Sequence, residues 1–554
     1  MPVVRLYYQD LEEMVGAPRE TIMNRLPMIG ADIGKRAEED HVDVEFFPDR
    51  PDLYSSEGVA RAMQGFLEVE TGLVEYEVHP GKVALDVDLS VKDVRPIIGC
   101  AVVRGLEFTD PAIESLMDLQ EDLHWGLGRN RKKVAIGVHD ISRVEPPFRY
   151  LGENPEREFV PLGYEESMSM REMLKRHPKG MDYGHILDGF DRYPLIVDAK
   201  NRVLSFPPII NGQLTSVTET TRDLFIDVTG TDPVVHRALN IVVCALAERG
   251  GRIESVLVRD QASAFSSPDL KPSRWTVDHE EANRLIGTQM SQEEAVGCLR
   301  RMRFGAQKKG PEIEVLVPAY RADIMHSWDI FEDLAKGFGY ENIPAHLPGT
   351  NTIARAHPLE ERKAEVREVM AGLGYLETMP FTLTSEKVNF RNMGRHEGGH
   401  TRVRHPISEL HTMIRTSIMP SLLEIFSFNQ HHPLPQRIFA VGDVVIEGRT
   451  RTSLAAASIH SAAGFAEIRS VVDAVLRDLG LDLQIVPSDN GAFIPGRGAD
   501  LVAEQEANLE SGRAGGAGRS GGRRLGCFGE VHPQTIVGFG LEQPVVALEL
   551  LIDA

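Results

Sequence analysis

The chain has 554 residues, of which 42% are hydrophobic and 26% are charged, and this composition is typical of a globular protein with several domains. Its formal net charge of −22 argues against a protein whose whole surface grips nucleic acid, because contacts with phosphate groups need Lys and Arg. No apolar run approaches the roughly 18 residues of a membrane span, and the first residues do not resemble a signal peptide.

The four cysteines lie far apart and none belongs to a CxxC pair, which argues against a disulfide framework and against a zinc site of that kind. Three short basic runs, at 129–133, 300–303 and 513–524, are typical of solvated surface rather than of a binding patch. These observations together predict a soluble, cytoplasmic protein with no membrane contact.

Residues 1–85 are predicted to form an N-terminal α/β domain. Helical spacing of apolar residues precedes a strand predicted at 42–46. Pro48 and Pro51 end that strand, because neither can donate a hydrogen bond to a neighbouring strand, and a helix is predicted at 57–68.

Residues 86–270 alternate short apolar strands with turns and end in a long helix, which is typical of a mixed α+β domain. The segment 206–212, FPPIING, stands out in its middle. Two prolines hold its backbone extended, and the Asn-Gly pair permits a tight turn with positive φ. The segment is therefore either a hairpin with stiff flanks or the wall of a pocket.

Residues 271–345 contain two helices with clear capping signals and are predicted to form a helix-turn-helix-like domain with an added strand. Such a domain suits nucleic acid, but it is equally common as a packing module.

Four carboxylates follow the last predicted strand of this domain. Asp323 lies just past the strand, and Ser327 is the predicted N-cap of the next helix. Asp329, Glu332 and Asp333 follow at i, i+3 and i+4, on one face of that helix. Acids so close together repel one another unless a positive charge lies between them, and Mg2+ prefers such oxygen ligands. The alternative is that acids in a first helical turn complement the helix dipole.

Residues 355–554 form the last predicted domain, which begins with a helix at 359–372 and contains long strands at 438–445 and 545–552. The glycine-rich stretch 512–522 is predicted to be a mobile loop because of its low complexity. The chain contains no GxxxxGK, GxGxxG or GxSxG motif, so the sites that these motifs mark are not indicated.

Four long segments, in this order, carry a resemblance to a known family: PDRPDLYSSEGVARAM, VLSFPPIINGQLTSVTETTRDLFIDVTGTD, VPAYRADIMHSWDIFEDLAKGFGYENI and GEVHPQTIVGFGLEQPVVALEL. They resemble the β subunit of phenylalanyl-tRNA synthetase of the archaeal and eukaryotic type. The resemblance implies an α2β2 heterotetramer that binds tRNA(Phe), with ATP as substrate and the aminoacylation site in the α subunit. It also implies that 355–554 is similar to a class II synthetase catalytic domain, with an antiparallel sheet but without the catalytic motifs. The strand at 437–445 resembles the strand of one such motif, but the pattern of an acid and a loop arginine that should follow it is not recognised.

The resemblance also suggests a role for the acidic segment. It implies that Asp323, Asp329, Glu332 and Asp333 ligate a Mg2+ whose coordination the α subunit completes.

The resemblance further implies that 86–270 is an editing domain, which hydrolyses tyrosine wrongly esterified to tRNA(Phe). A pocket built for a phenyl ring rejects a ring with an added hydroxyl only about a hundredfold, so a second site is needed. The candidates for that site are Ser205, Asn211, Asp227 and Thr229. No Ser-His-Asp or metal-hydrolase arrangement is visible, so a positioned water is expected to attack the ester. His139 and His185 lie in the same domain and have no spacing that singles them out.

Two other functions stay open at this point. A stand-alone tRNA-binding protein or editing hydrolase would need a more basic surface than a net charge of −22 suggests. A metal-dependent phosphotransfer enzyme built on the acids would need a loop that cradles phosphate, and no such loop is visible.

Overall fold

The computed structural model describes residues 2–260, 263–347, 349, 352–503 and 523–553. The chain forms two compact units, Met1–Pro348 and Gly349–Ala554. The glycine-rich loop predicted at 512–522 lies outside the described residues. In the part of the chain that is described, no helix is both long and apolar enough to cross a membrane.

The α-helices of the first unit are α1 (Tyr8–Val15), α2 (Arg19–Arg25), α3 (Ser56–Phe66), α4 (Asp110–Trp125), α5 (Met170–Arg176), α6 (Pro178–Tyr183), α7 (Val234–Glu248), α8 (His279–Ile286), α9 (Gln292–Arg301) and α10 (Ser327–Phe338). Its strands are β1 (Val3–Tyr7), β2 (Ala31–Ala37), β3 (His41–Phe46), β4 (Val78–His79), β5 (Ala84–Val87), β6 (Ile97–Arg104), β7 (Val134–Asp140), β8 (Phe148–Glu153), β9 (Glu158–Phe159), β10 (Met168–Ser169), β11 (Tyr193–Val197), β12 (Val203–Phe206), β13 (Ile210–Asn211), β14 (Leu224–Gly230), β15 (Arg252–Arg259), β16 (Ala264–Ser267), β17 (Ser273–Val277), β18 (Gly305–Lys309) and β19 (Glu312–Val317).

The first unit opens with a three-stranded antiparallel sheet in the order β1-β3-β2, against which α1 and α3 pack. Strand β3 confirms the strand predicted at 42–46. Its Val42, Val44 and Phe46 are buried and alternate with partly exposed residues, because successive side chains of a strand point to opposite faces.

An 11-stranded mixed sheet forms the middle of this unit, in the order β13-β12-β11-β8-β5-β15-β6-β14-β7, with β4 and β16 paired to β15. The apolar helix α7 packs on β6, β14 and β7, and α4 packs against β7 at the sheet edge. Strand β14 is buried along its whole length because it lies between β6 and β7 and beneath α7. Polar groups on β14 are therefore held away from bulk solvent.

The acidic segment belongs to the last part of this unit, where α10 packs on α8 and α9 beside the antiparallel sheet β17-β19-β18. The N-cap predicted at Ser327 is wrong, because α10 begins at Ser327 and its N-cap is His326. The His326 ring accepts from the Trp328 N–H at 3.2 Å, and the Asp329 carboxylate accepts from the His326 N–H at 2.7 Å. This capping box satisfies N–H groups at the start of the helix, and it uses Asp329 to do so.

The second unit contains α11 (Pro358–Gly372), α12 (Met419–Phe428), α13 (Phe465–Asp478) and α14 (Pro533–Gly538). Its strands are β20 (Leu376–Glu377), β21 (Leu383–Thr384), β22 (Met413–Ile414), β23 (Gln436–Ile446), β24 (Arg449–Ile459), β25 (Gln484–Pro487), β26 (Phe493–Ala503), β27 (Arg523–Val531) and β28 (Val545–Leu551).

A seven-stranded sheet in the order β20-β23-β24-β28-β27-β26-β25 is the centre of the second unit. Strand β20 runs parallel to β23, and the other pairs are antiparallel. Both faces are covered: Ala455 and Ala457 of β24 lie in one core with Leu422 of α12, whereas Leu454 lies in another core with Ile468 of α13. The chain as a whole is thus a mixed α and β protein with several sheets.

Candidate functional site

A cavity of about 240 Å³ lies between helix α4, strands β7 and β14, and the proline-rich segment that joins β12 to β13. Ser205, Asn211 and Asp227 all line it, so the structure brings together three of the four residues predicted for the editing pocket. β12 and β13 form a hairpin, and the residues between them form a cavity wall, so both interpretations of the proline-rich segment apply. The Asn-Gly pair does not make the turn, because Asn211 belongs to β13 and Gly212 has a φ of −78°.

Asn211 is held in a defined orientation at the cavity wall. It lies opposite Ser205 in the register of β12 and β13, and the Ser205 hydroxyl donates to its Oδ1 at 3.2 Å. Its Nδ2 donates to the Val138 carbonyl at 3.4 Å, a long hydrogen bond. The weaker of these bonds leaves the amide available to a ligand in the cavity.

Asp227 belongs to a buried chain of hydrogen bonds that the sequence did not reveal. Its Oδ1 lies 2.8 Å from Nε2 of His139, and Nδ1 of His139 lies 2.7 Å from Oγ1 of Thr215. An ionised Asp227 requires the proton on Nε2, so that Nδ1 accepts from the Thr215 hydroxyl. Thr215 and Asp227 both line the cavity, and His139, which is 0% exposed, joins them from behind.

Gly137 makes this arrangement possible. It lies opposite Asp227 in the register of β7 and β14. A Cβ at this position would lie 2.4 Å from Asp227 Oδ1 and 2.7 Å from His139 Nε2, which is closer than atoms approach without displacement. The carboxylate and the imidazole therefore occupy the space that any other residue at position 137 would fill.

Thr229 lies outside the cavity lining, although it is two residues beyond Asp227 on the same face of β14. Its Oγ1 accepts from Arg95 Nε at 3.0 Å, and its carbonyl accepts from Arg95 Nη2 at 2.9 Å. Burial lowers the pKa of Arg95 to about 10. In this arrangement Thr229 provides hydrogen-bond acceptors for the buried guanidinium of Arg95.

A charged group at the cavity includes residues that sequence analysis assigned to surface. Arg131, from the basic run at 129–133, is buried and donates to the carbonyls of Pro208 at 3.2 Å and Ile209 at 2.9 Å. It also donates to Glu121 Oε1 at 2.6 Å, and Lys179 donates to the same oxygen at 3.1 Å. Arg131 thus connects helix α4 to the proline-rich wall.

His124 lies beside this group and stays neutral. Burial lowers its pKa to about 4, and its Nε2 accepts from the Ile136 N–H at 2.7 Å, so the ring proton is on Nδ1. Nδ1 lies 3.8 Å from Glu121 Oε2. Burial raises the pKa of Glu121, but His124 and the charges of Arg131 and Lys179 outweigh burial and bring that pKa below its ordinary value.

The four acids of the predicted metal site are placed differently from the sequence expectation. Asp323 and Asp333 are bridged by Arg321, whose Nη2 lies 2.6 Å from Asp323 Oδ2 and 2.5 Å from Asp333 Oδ2. Asp329 caps its own helix, and Glu332 pairs with Lys336 at 2.8 Å. Among the described residues, no group of three or more His, Cys, Asp or Glu side chains is placed to hold a metal ion. In this arrangement the four acids do not fit a Mg2+, because Arg321 already neutralises Asp323 and Asp333, whereas Asp329 and Glu332 have partners of their own.

The Arg321 bridge continues into the N-terminal part of the unit. Arg50 donates to both oxygens of Asp52, at 2.9 and 2.8 Å, and its Nη1 lies 3.7 Å from Asp333 Oδ1. Burial raises the pKa of Asp52, but the charges of Arg50, Arg321 and Arg61 outweigh burial and lower it to about 2. The loop at 48–52 and the acidic segment are therefore parts of one buried ionic network.

Comparison with known proteins gives consistent matches over the whole chain. Family models described as the B3/4 domain, the tRNA synthetase B5 domain and the phenylalanyl tRNA synthetase beta chain CLM domain match residues 108–245, 275–340 and 343–552. The cavity residues lie within the first match and the four acids within the second.

Two curated relatives are named phenylalanine–tRNA ligase beta subunit. The protein of Methanothrix thermoacetophila is 67% identical over 99% of both chains, and that of Methanosarcina barkeri is 54% identical over 99% of this chain and 98% of its own. A crystal structure of an N-terminal fragment of the phenylalanyl-tRNA synthetase beta subunit from Pyrococcus horikoshii is 35% identical, with a TM-score of 0.59. The match covers 61% of this chain and 99% of that fragment.

The space at Gly137 leads to a first prediction. Gly137→Ala should destabilise the first unit by about 1–3 kcal/mol, because the added methyl group displaces the Asp227–His139 pair. Gly297→Ala is the matched control, since Gly297 lies within α9 and a Cβ there meets nothing within 4 Å. The control should stabilise the protein by about 0.5–1 kcal/mol. Urea unfolding of both variants checks this, and equal midpoints would contradict it.

The Arg321 bridge leads to a second prediction. Arg321→Leu should lower the free energy of unfolding by about 3–5 kcal/mol, because the buried carboxylate of Asp333 and the partly buried carboxylate of Asp323 lose their common counter-charge. Arg469→Leu, which removes an exposed pair with Asp473, should cost less than about 1 kcal/mol. EDTA should leave the melting temperature of the isolated wild-type chain unchanged. A marked drop in EDTA, restored by Mg2+, would show that a metal rather than Arg321 stabilises the segment.

Proposed function

Because the chain belongs to the family of phenylalanine–tRNA ligase β subunits, we propose that it works with an α subunit to attach phenylalanine to tRNA(Phe) using ATP. The observation that carries this proposal is identity of 67% over 99% of both chains, together with family models in three successive regions. We propose an α2β2 assembly in the cytoplasm, where charged tRNA is consumed.

We assign the aminoacylation site to the α subunit. Only Glu447 and Gly448 join β23 to β24, so this hairpin has no long loop from which an arginine could clamp an ATP phosphate. In the second unit, Glu549 of β28 accepts from the Ile418 N–H at 2.6 Å and from Ser453 Oγ at 3.3 Å. This carboxylate therefore holds the start of α12, which supports a scaffold role for the sheet.

A surface of the second unit suits the α subunit. Large apolar side chains are exposed at Met379 and Phe381, 94% and 81% exposed, and at Ile407 and Leu410. The β21–β22 pair joins the two stretches, and the Phe381 ring lies 6.0 Å from that of His411. Several large apolar side chains exposed in neighbouring segments are typical of an interface. We propose that the α subunit covers it.

The cavity of the first unit is the proposed editing site. Two of its polar groups, Asn211 and Asp227, lie beside apolar lining residues, as a pocket for a phenol ring requires. A site that offers a hydrogen bond to the phenol hydroxyl holds tyrosine better than phenylalanine, because phenylalanine leaves the buried polar group unpaired. Water then attacks the ester carbonyl, the bond to the ribose oxygen breaks, and tyrosine and tRNA are released.

Within this proposal His139 is a positioning residue. Its hydrogen bond orients Asp227, and among the described residues none donates to Asp227 Oδ2, which leaves that oxygen available to a ligand or a water. The stand-alone hydrolase is the weaker alternative, because it gives no role to the exposed apolar surface of the second unit. The Mg2+ shared with the α subunit stays a prediction of the family resemblance, and it would require Arg321 to release Asp323 and Asp333 on assembly.

The editing proposal predicts a selective defect. Asn211→Ala should slow hydrolysis of Tyr-tRNA(Phe) by the α–β complex about tenfold, the effect of one hydrogen bond worth roughly 1.4 kcal/mol, and should leave Phe charging unchanged. Thr229→Val is the matched control, since it removes a buried hydrogen bond outside the cavity. It should lower the melting temperature without a selective loss of hydrolysis. An unaltered hydrolysis rate in well-folded Asn211→Ala would place the pocket elsewhere.

The interface proposal predicts a defect in assembly. Met379→Ser with Phe381→Ser should weaken co-purification with the α subunit and lower Phe charging, while the isolated chain keeps its melting temperature. Val537→Ser, at an apolar residue that is 73% exposed on α14, is the control and should assemble normally. Normal assembly of the double variant would exclude this surface.

A further inference from the structure

A basic loop lies beside the cavity on a protein whose net charge is −22. The loop, residues 129–133, joins α4 to β7, and its Arg129 and Lys132 are exposed. Arg131 lines the cavity, and consecutive Cα atoms are about 3.8 Å apart, so the Cα atoms of Arg129 and Lys132 lie within about 8 Å of the Arg131 Cα. Lys179 of α6 also lines the cavity.

The backbone conformation of this loop places some of its side chains in the protein interior and others in solvent. Arg129, Asn130 and Arg131 have φ of 49°, 53° and 65°, a left-handed conformation that costs about 1–2 kcal/mol for each residue other than glycine. The Arg131 N–H donates to the His124 carbonyl at 3.1 Å, and the Lys133 N–H donates to the Gly128 carbonyl at 2.7 Å. This turn buries Arg131 and leaves Arg129 and Asn130 in solvent. Strain of this kind is concentrated at functional sites.

The buried arginine attaches the loop to the cavity wall and to α6. Besides the wall carbonyls and Glu121, its guanidinium carbon lies 4.6 Å from the centre of the Tyr183 ring. The two cations Arg131 and Lys179 face the one carboxylate of Glu121, so this end of the cavity carries a net positive charge. Arg129 and Lys132 add to that charge on the outside.

We propose that the basic loop, with Lys179, holds the phosphate backbone of the single-stranded 3′ end of tRNA while the terminal ester enters the cavity. The inference rests on the proposed editing function and adds to it the surface that receives the RNA. Exposed Lys and Arg side chains that are not next to a pocket for a base can bind the phosphate groups of a nucleic acid. Such contacts do not depend on the base sequence. Arg131 is the positioning residue, since it ties the loop to the wall.

The test compares two substrates that share the ester and differ in phosphate: Tyr-tRNA(Phe) and tyrosyladenosine, which has no phosphate. Arg129→Gln with Lys132→Gln is assayed in the α–β complex beside a control, Lys82→Gln with Lys92→Gln, which makes the same charge change at exposed lysines elsewhere in the unit. With Tyr-tRNA(Phe), kcat/KM of the loop variant should fall about tenfold at low salt. The slope of log kcat/KM against log salt should become shallower by about 0.7 for each phosphate group that the variant no longer neutralises. With tyrosyladenosine, loop variant, control and wild type should be equal.

An unchanged kcat/KM and salt slope on Tyr-tRNA(Phe) would overturn the inference, and so would an equal decrease on both substrates, which would mean damage to the cavity. Failure of the proposed function looks different, because the wild-type complex would then hydrolyse neither substrate. The basic loop would lose its role in that case as well.

Discussion

The fold of the first unit depends on a network of mostly buried Arg and Asp side chains that neutralise one another. Arg321 lies between Asp323 and Asp333, and Arg50 lies between Asp333 and Asp52. Each isolated ion would be strongly unfavourable in a dry interior, so the loop at 48–52 and the start of α10 are stable only together. Directional hydrogen bonds also restrict how the two segments meet, which apolar contacts alone do not do.

Hydrogen bonds to buried polar groups also fix the two walls of the cavity. On the sheet side, Asp227, His139 and Thr215 satisfy one another in the dry interior. On the helix side, Arg131 fixes the carbonyls of Pro208 and Ile209. These hydrogen bonds hold both walls, so the pocket keeps its shape without a ligand, and binding needs little reorganisation.

Sequence reasoning found what lies close along the chain and missed what the sheets bring together. The spacing of Asp329, Glu332 and Asp333 correctly places three acids on one helix, but it cannot show that Arg321 fills the space between Asp323 and Asp333. His139 meets Asp227 only through the register of β7 and β14, across 88 positions of sequence. Asp227 and Thr229 share a strand face, so alternation could not separate the residue that lines the cavity from the one that binds Arg95. Gly137 and His139 lie two positions apart and therefore on one face of β7. This spacing was the local feature of the sequence that could have indicated a buried polar group at this strand.

The position of Arg131 between the cavity and the basic loop affects which molecules can occupy the cavity in a cell. The same guanidinium supports the proline-rich wall and a loop whose outer residues face solvent. A ligand that also reaches those outer residues therefore binds at two places on one support. An amino acid esterified to RNA gains binding free energy from the pocket and from the outer residues of the basic loop. Free tyrosine gains binding free energy from the pocket alone. We therefore expect free tyrosine to be a weak competitor, so that cellular pools of the amino acid, and the tyrosine released by each turnover, leave the site open for the next mischarged tRNA.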